Sequence, residues 1–196
     1  MPILGALMGF SLLLGPTSLA MGNVLIPRSE APVAPAEPVE QSRPVTVTAY
    51  NAVAGQTDET PLETASGAYS NPEIVAARSA NLAKELPFGT IIELDGSDIA
   101  KDNTCGFSVV APIIGYRVIE DSMNSRYTDR IDVLLSNETT LTKSDGSAMN
   151  AAHVLGICKG VTYRVVGYVD INHIPKTQAD LARLVHGSGK TLALSK

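Results

Sequence analysis

Two aspartates offer the clearest chemistry in this chain. Glu120-Asp121 closes one β-branched segment, and Arg130-Ile131-Asp132 opens the next, with a loop from Ser122 between them. If the two segments pair as an antiparallel hairpin, residues facing each other stand about 5 Å apart. Two carboxylates that close disfavour each other's ionisation, so one pKa rises. Val118, Ile119, Ile131, Val133 and Leu134 would surround them with apolar surface and raise it further. A proton held in this way can be given to the leaving oxygen of a glycosidic bond. A free Asp, with a pKa of about 3.9, is protonated only about one part in a thousand at pH 7, and keeping that proton costs roughly 4 kcal/mol. The alternative is that both are strand-end turn formers and solvated caps.

Hydroxyl and aromatic side chains accompany the pair. Thr48, Thr57, Thr64 and Ser66 are candidate hydrogen-bond partners for a sugar. Thr64-Ala65-Ser66-Gly67 supplies small residues where a backbone can approach one, and it reads equally well as a strand-end turn. Tyr50 either stacks on a sugar ring or fills the core. Asp129 sits beside Arg126 and Arg130 and reads as a salt-bridging or solvated group. His153, His173 and His186 have no metal-ligand spacing with one another or with the cysteines. Lys143 to Asn150 is too short for a calcium loop of the EF-hand kind. No metal or cofactor is expected.

These residues need a folded support, and the composition allows one. The 196 residues are 44% hydrophobic and 18% charged, with no Trp and three Phe, so the core must be aliphatic. Fifteen Lys and Arg against twenty Asp and Glu give a net charge of −5, without the basic footprint of nucleic-acid binding. Val45 to Tyr50 alternates and reads as a strand, and further strands are expected at 91–94, 116–120, 131–135 and 163–169. Residues 73–82 and 177–185 are the candidate helices, the second with Thr177 as N-cap and Gly187 as stop. Several short strands with few helices predict a compact barrel or sandwich. Leu86-Pro87-Phe88-Gly89-Thr90 predicts a sharp turn into a strand.

The first residues read as an address. Residues 1–27 carry no charged side chain, and Ile3 to Leu14 have the length of a signal-peptide apolar region, followed by Gly15-Pro16 and the small residues Ser18 and Ala20. They are expected to be a signal peptide or a short anchor. Residues 28–44, with Pro32, Pro35, Pro38 and Pro44, are expected to be an extended solvated linker. The barrel is expected over 45–172 and a helix and tail over 173–196. Cys105 and Cys158 are either two buried thiols or, in an exported protein, a disulfide. Its closed loop of about 54 residues would be worth roughly 4 kcal/mol in the simple chain-entropy treatment.

Four segments in order resemble one family. TAYNAVAGQTDETPLETASG (48–67), LPFGTIIEL (86–94), GYRVIEDSM (115–123) and RIDVLL (130–135) are similar to the 3D domain of MltA-type lytic transglycosylases and stationary-phase-survival proteins. The resemblance covers roughly Val45 to Ile171. It implies a mainly β fold, a six-stranded double-psi β-barrel. It also implies Asp132 as general acid and then base, Asp121 as its partner, and cleavage of peptidoglycan between N-acetylmuramic acid and N-acetylglucosamine to 1,6-anhydro products. The implied partner is the peptidoglycan glycan strand, met in the periplasm, at the outer membrane or in the cell wall. The chain departs from the family in two places. Ala77 or Arg78 stands where the third aspartate follows a Val-Ala run, and Asp121-Ser122-Met123 replaces Asp-Thr-Gly. These departures suit a non-catalytic glycan-binding or wall-loosening barrel. A pepsin-like protease fits less well, because neither aspartate lies in an Asp-Thr-Gly turn.

Overall fold

The computed structural model describes residues 42–53, 55–57, 60–97, 105–142 and 145–187. The leader expected over 1–27, most of the linker expected over 28–44 and the tail beyond 187 lie outside those residues. The described elements are β1 (Ser42–Tyr50), β2 (Val75–Arg78), β3 (Thr90–Asp95), α1 (Phe107–Ile114), β4 (Arg117–Ser122), β5 (Arg130–Leu134), β6 (Thr140–Thr142), β7 (Ala148–Asn150), α2 (Ala151–Leu155), β8 (Cys158–Tyr168) and α3 (Gln178–Gly187). The protein is mainly β. Six strands close a barrel in the order β1-β5-β2-β4-β3-β8, and β6 with β7 makes a separate two-stranded sheet. The β1–β5 and β2–β4 pairs are parallel, and the other four barrel pairs are antiparallel.

Strand alternation sorts the apolar residues onto two faces. Val47, Ala76, Ile92, Ile119, Ile131 and Val161 come from six different strands and meet in one cluster, which is the barrel lumen. Tyr50, Val75, Ala77, Ile91, Val118 and Leu134 form a second cluster on the outer face, covered by Leu181 of α3. A disulfide joins Cys105, just before α1, to Cys158 at the start of β8.

Three expectations need correction. Residues 73–82 are not a helix: they contain β2 and a short 3-10 turn, Ala80–Leu82. Val75, Ala76, Ala77 and Arg78 are all buried, and a strand covered on both faces lacks the alternation that marks a half-buried one. The strands bearing Asp121 and Asp132 are not a hairpin, because both pair with β2, which lies between them. Strand β1 begins inside the stretch expected as linker, since β8 reaches far enough to pair Ser42 with Arg164 and Pro44 with Thr162. Pairing to β5 begins only at Thr46, so Pro44 has no strand on its other side, where a missing N–H is tolerated.

Helix α1 gave little sequence signal, because it contains Pro112 and two consecutive valines. Tertiary packing of Phe107, Val110 and Ile114 holds it. Its C-terminal end is fastened by Arg117, which is fully buried. That guanidinium donates to the carbonyls of Ile114 at 2.7 Å, Ile113 at 3.2 Å, Pro72 at 2.8 Å and Leu134 at 3.0 Å. Burial pushes its pKa down to about 9.

Candidate active site

The strand order builds a row of side chains across the outer face of the barrel. Thr48 of β1 is in register with Asp132 of β5, Asp132 with Ala77 of β2, and Ala77 with Asp121 of β4. Asp132 and Asp121 therefore stand two strands apart, about 9–10 Å between backbones, not the about 5 Å of a hairpin pair. Ala77 lies between them, and all three line a groove of about 530 Å³.

A bulge aims Asp121 at this groove. Ala76 is in register with Ile119 but Ala77 with Asp121, so Glu120 is the extra residue in β4. In uninterrupted pairing Glu120 would stand beside Ala77, and Asp121 would point to the lumen. Two turns hold the bulge by its carbonyls. Gly89 donates its N–H to Ile119 O at 2.9 Å, and Ser66 donates its N–H to Glu120 O at 3.0 Å. Gly89 has a φ of +87°, and a Cβ there would lie 2.3 Å from the Val169 carbonyl oxygen, so the Leu86–Thr90 turn needs glycine.

The second turn is Thr64-Ala65-Ser66-Gly67. None of Thr64, Ser66 and Gly67 lines the groove. The Thr64 hydroxyl lies 3.0 Å from that of Ser66 and donates to Ala68 O at 3.1 Å, and Gly67 turns the chain at a φ of +83°. The product of this turn is the Ala65 N–H, which donates to Asp121 Oδ1 at 3.0 Å. The Ser122 N–H donates to the same oxygen at 2.8 Å, and the Tyr50 hydroxyl donates to Oδ2 at 2.9 Å. Three donors thus fix the orientation of Asp121. Tyr50 is mostly core, and it lines the groove with its edge. Burial, reinforced by Asp121, pushes its phenol well above the usual range. Thr57 also lines the groove, and its hydroxyl donates to Val53 O at 3.3 Å.

Asp132 is the perturbed group. Burial drives its pKa up to about 6, Asp121 adds to the rise, and the Thr48 hydrogen bond and Arg130 oppose it. The Thr48 hydroxyl donates to Asp132 Oδ1 at 2.8 Å, a direct result of the parallel register. At pH 7 a carboxyl with a pKa of about 6 is protonated about one time in ten, roughly a hundredfold more often than free Asp. The neighbouring carboxylate contributes least to this shift, as the wide spacing requires.

Sequence reasoning missed Glu120, which is 1% exposed and whose Oε1 has no partner among the described residues. Burial and then Asp121 push it up to about 7. Alternation gave no sign of its burial, because a bulge breaks the period of two. Glu63, Ser70, Asn124, Arg126 and Tyr127 complete the groove from loops. Loops carry no hydrophobic periodicity, so of these residues the sequence drew notice only to Arg126, as a neighbour of Asp129. Asp129 bonds to Arg43 and, at 2.8 Å, accepts from Asn81 Nδ2, which makes it a structural tie outside the groove. Among the described residues, no three His, Cys, Asp or Glu side chains gather as metal ligands. No family model matches the chain, and no curated protein matches it in sequence.

Proposed function

We propose that this chain is an exported lytic transglycosylase of the 3D-domain, double-psi barrel type, acting on peptidoglycan glycan strands. One observation carries the reading: a groove-lining aspartate, Asp132, whose burial raises its pKa to about 6, so that a working fraction is protonated near neutral pH. In the first step Asp132 donates its proton to the oxygen linking N-acetylmuramic acid to N-acetylglucosamine, and the glycosidic bond breaks. In the second, the Asp132 carboxylate accepts the proton of the muramic C6 hydroxyl, whose oxygen closes on its own anomeric carbon. A 1,6-anhydro sugar leaves, and no water is consumed. One carboxyl serves in both steps, so the carboxylate spacings of ordinary glycosidases do not apply. Asp121, fixed by three donors, orients the sugar. Tyr50 and Thr57 border the path, and Thr48 trims the basicity of Asp132.

The test is incubation of the protein with purified sacculi, followed by mass spectrometry of the soluble products. Anhydro-muropeptides from the native chain, and their loss in Asp132→Asn, are expected. Full activity in Asp132→Asn would refute the assignment. A second reading, a glycan-binding barrel that does not cut, is favoured by one feature. Ala77 stands between the two aspartates, in the stretch where the family carries its third carboxylate. That reading predicts retained binding to sacculi with no anhydro products.

A further inference from the structure

The groove is chemically lopsided. Glu63, Asp121 and Asp132 line it, and Arg126 is the one cation among its described lining residues. Arg126 stacks on Tyr127, with its guanidinium carbon 4.7 Å from the ring centroid, and its Nη2 donates to the Tyr127 hydroxyl at 2.8 Å. Arg130 lies over the same ring at 4.5 Å, and its buried Nε has no hydrogen-bond partner. Neither guanidinium forms an ion pair with a carboxylate among the described residues. Arg130 already acts on the Asp132 carboxylate, whereas Arg126, held on the ring beside a groove otherwise acidic, has no carboxylate partner among the described residues and is placed to take an anion from a ligand.

We propose that Arg126, braced by Tyr127 and Arg130, is a carboxylate subsite at the rim of the groove. This rests on the glycan reading and specifies it further: the ligand is a strand bearing a carboxylate, not a neutral polysaccharide. The planar fork of Arg126 suits bidentate capture, and the ring limits the conformations it must lose on binding. A second role follows from sign. The acidic wall around Asp121 and Asp132 repels the carboxylate, so the ligand has one favourable polarity in the groove. In peptidoglycan the carboxylate has two sources, the lactyl ether of a peptide-free muramic acid or the stem peptide, whose attachment consumes the lactyl carboxyl as an amide.

The experiment measures binding of three ligands to the full chain carrying Asp132→Asn, so that strands are not consumed. They are a neutral N-acetylglucosamine oligomer, glycan strands stripped of peptide, and peptide-bearing strands. Arg126 is exposed, so Arg126→Gln is expected to fold, and an unchanged melting curve checks this. Losing a hydrogen bond to a charged group is worth about tenfold or more in affinity. Carboxylate-bearing strands are expected to bind at least about tenfold more tightly than the neutral oligomer. Arg126→Gln should erase that preference, leave the neutral oligomer unchanged, and be partly rescued by Arg126→Lys. Preference for stripped strands would assign the lactyl carboxylate, and preference for peptide-bearing strands would assign the stem peptide. Equal binding of neutral and carboxylated ligands, or a preference that survives Arg126→Gln, would overturn the subsite while leaving the glycan reading in place. Failure to bind any of the three would overturn both.

Discussion

Replacing Asp132 by Asn should make the protein more stable at neutral pH and leave it little more stable near pH 4. The folded pKa of about 6 stands above the ordinary aspartate value of 3.8. The folded state therefore binds more protons than the unfolded state between those two values, and stability falls as pH rises through that window. The full penalty is reached above pH 6 and is about 3 kcal/mol, at 1.36 kcal/mol per pH unit. Asn removes the charge and keeps the shape and a neutral Thr48 hydrogen bond, and the extra strength of the charged form of that bond is already contained in the pKa of about 6. The gain is therefore about 3 kcal/mol at pH 7, falling below about 1 kcal/mol at pH 4. Urea denaturation with the disulfide intact, at a series of pH values, measures it. Equal loss of stability at pH 4 and pH 7 would refute the claim that Asp132 is a strained, proton-retaining carboxyl. This test needs no substrate, so it stands apart from the enzymatic proposal.

Other substitutions probe the neighbours. Thr48→Val removes a donor that holds the Asp132 pKa down, so the carboxyl should titrate above about 6, by roughly one unit, in a carbon-detected NMR titration. Glu120→Gln should flatten the decline of stability between about pH 4.5 and 7, where the folded carboxyl retains its proton and the unfolded one does not, with an upper bound of about 3 kcal/mol at pH 7.5 in urea melts. Arg117→Met should cost about 3 kcal/mol or more in the same assay, because the carbonyls of Pro72, Val75, Ile113, Ile114 and Leu134 lose the donor it supplies.

The bulge at Glu120 explains why the site requires distant turns. A bulge leaves carbonyls outside regular pairing, and here Gly89 and Ser66 satisfy them. The segments LPFGT and TASG thus act on the groove through the backbone of β4. The hydroxyls of Thr64 and Ser66 were expected to meet a sugar directly. In the structure Thr64 and Ser66 bond each other and the local backbone, which presents the Ala65 N–H to Asp121.

Local pattern was enough to show a mainly β domain, the positions of β3, β4 and β5 and the closing helix α3, and it drew notice to Asp121 and Asp132, which the structure brings to one groove. Alternation, turn formers and an N-cap act over a few residues, so they survive in the linear order. Pairing does not. Strand β2 comes long before β4 and β5 in the chain yet lies between them, and its burial on both faces erased the alternation that would have announced it. That one insertion sets the spacing of Asp121 and Asp132, and the single extra residue at 120 sets which acidic side chain reaches the groove. The pKa of Asp132 depends on burial under loops distant in sequence, and burial is a property of the closed barrel rather than of any segment.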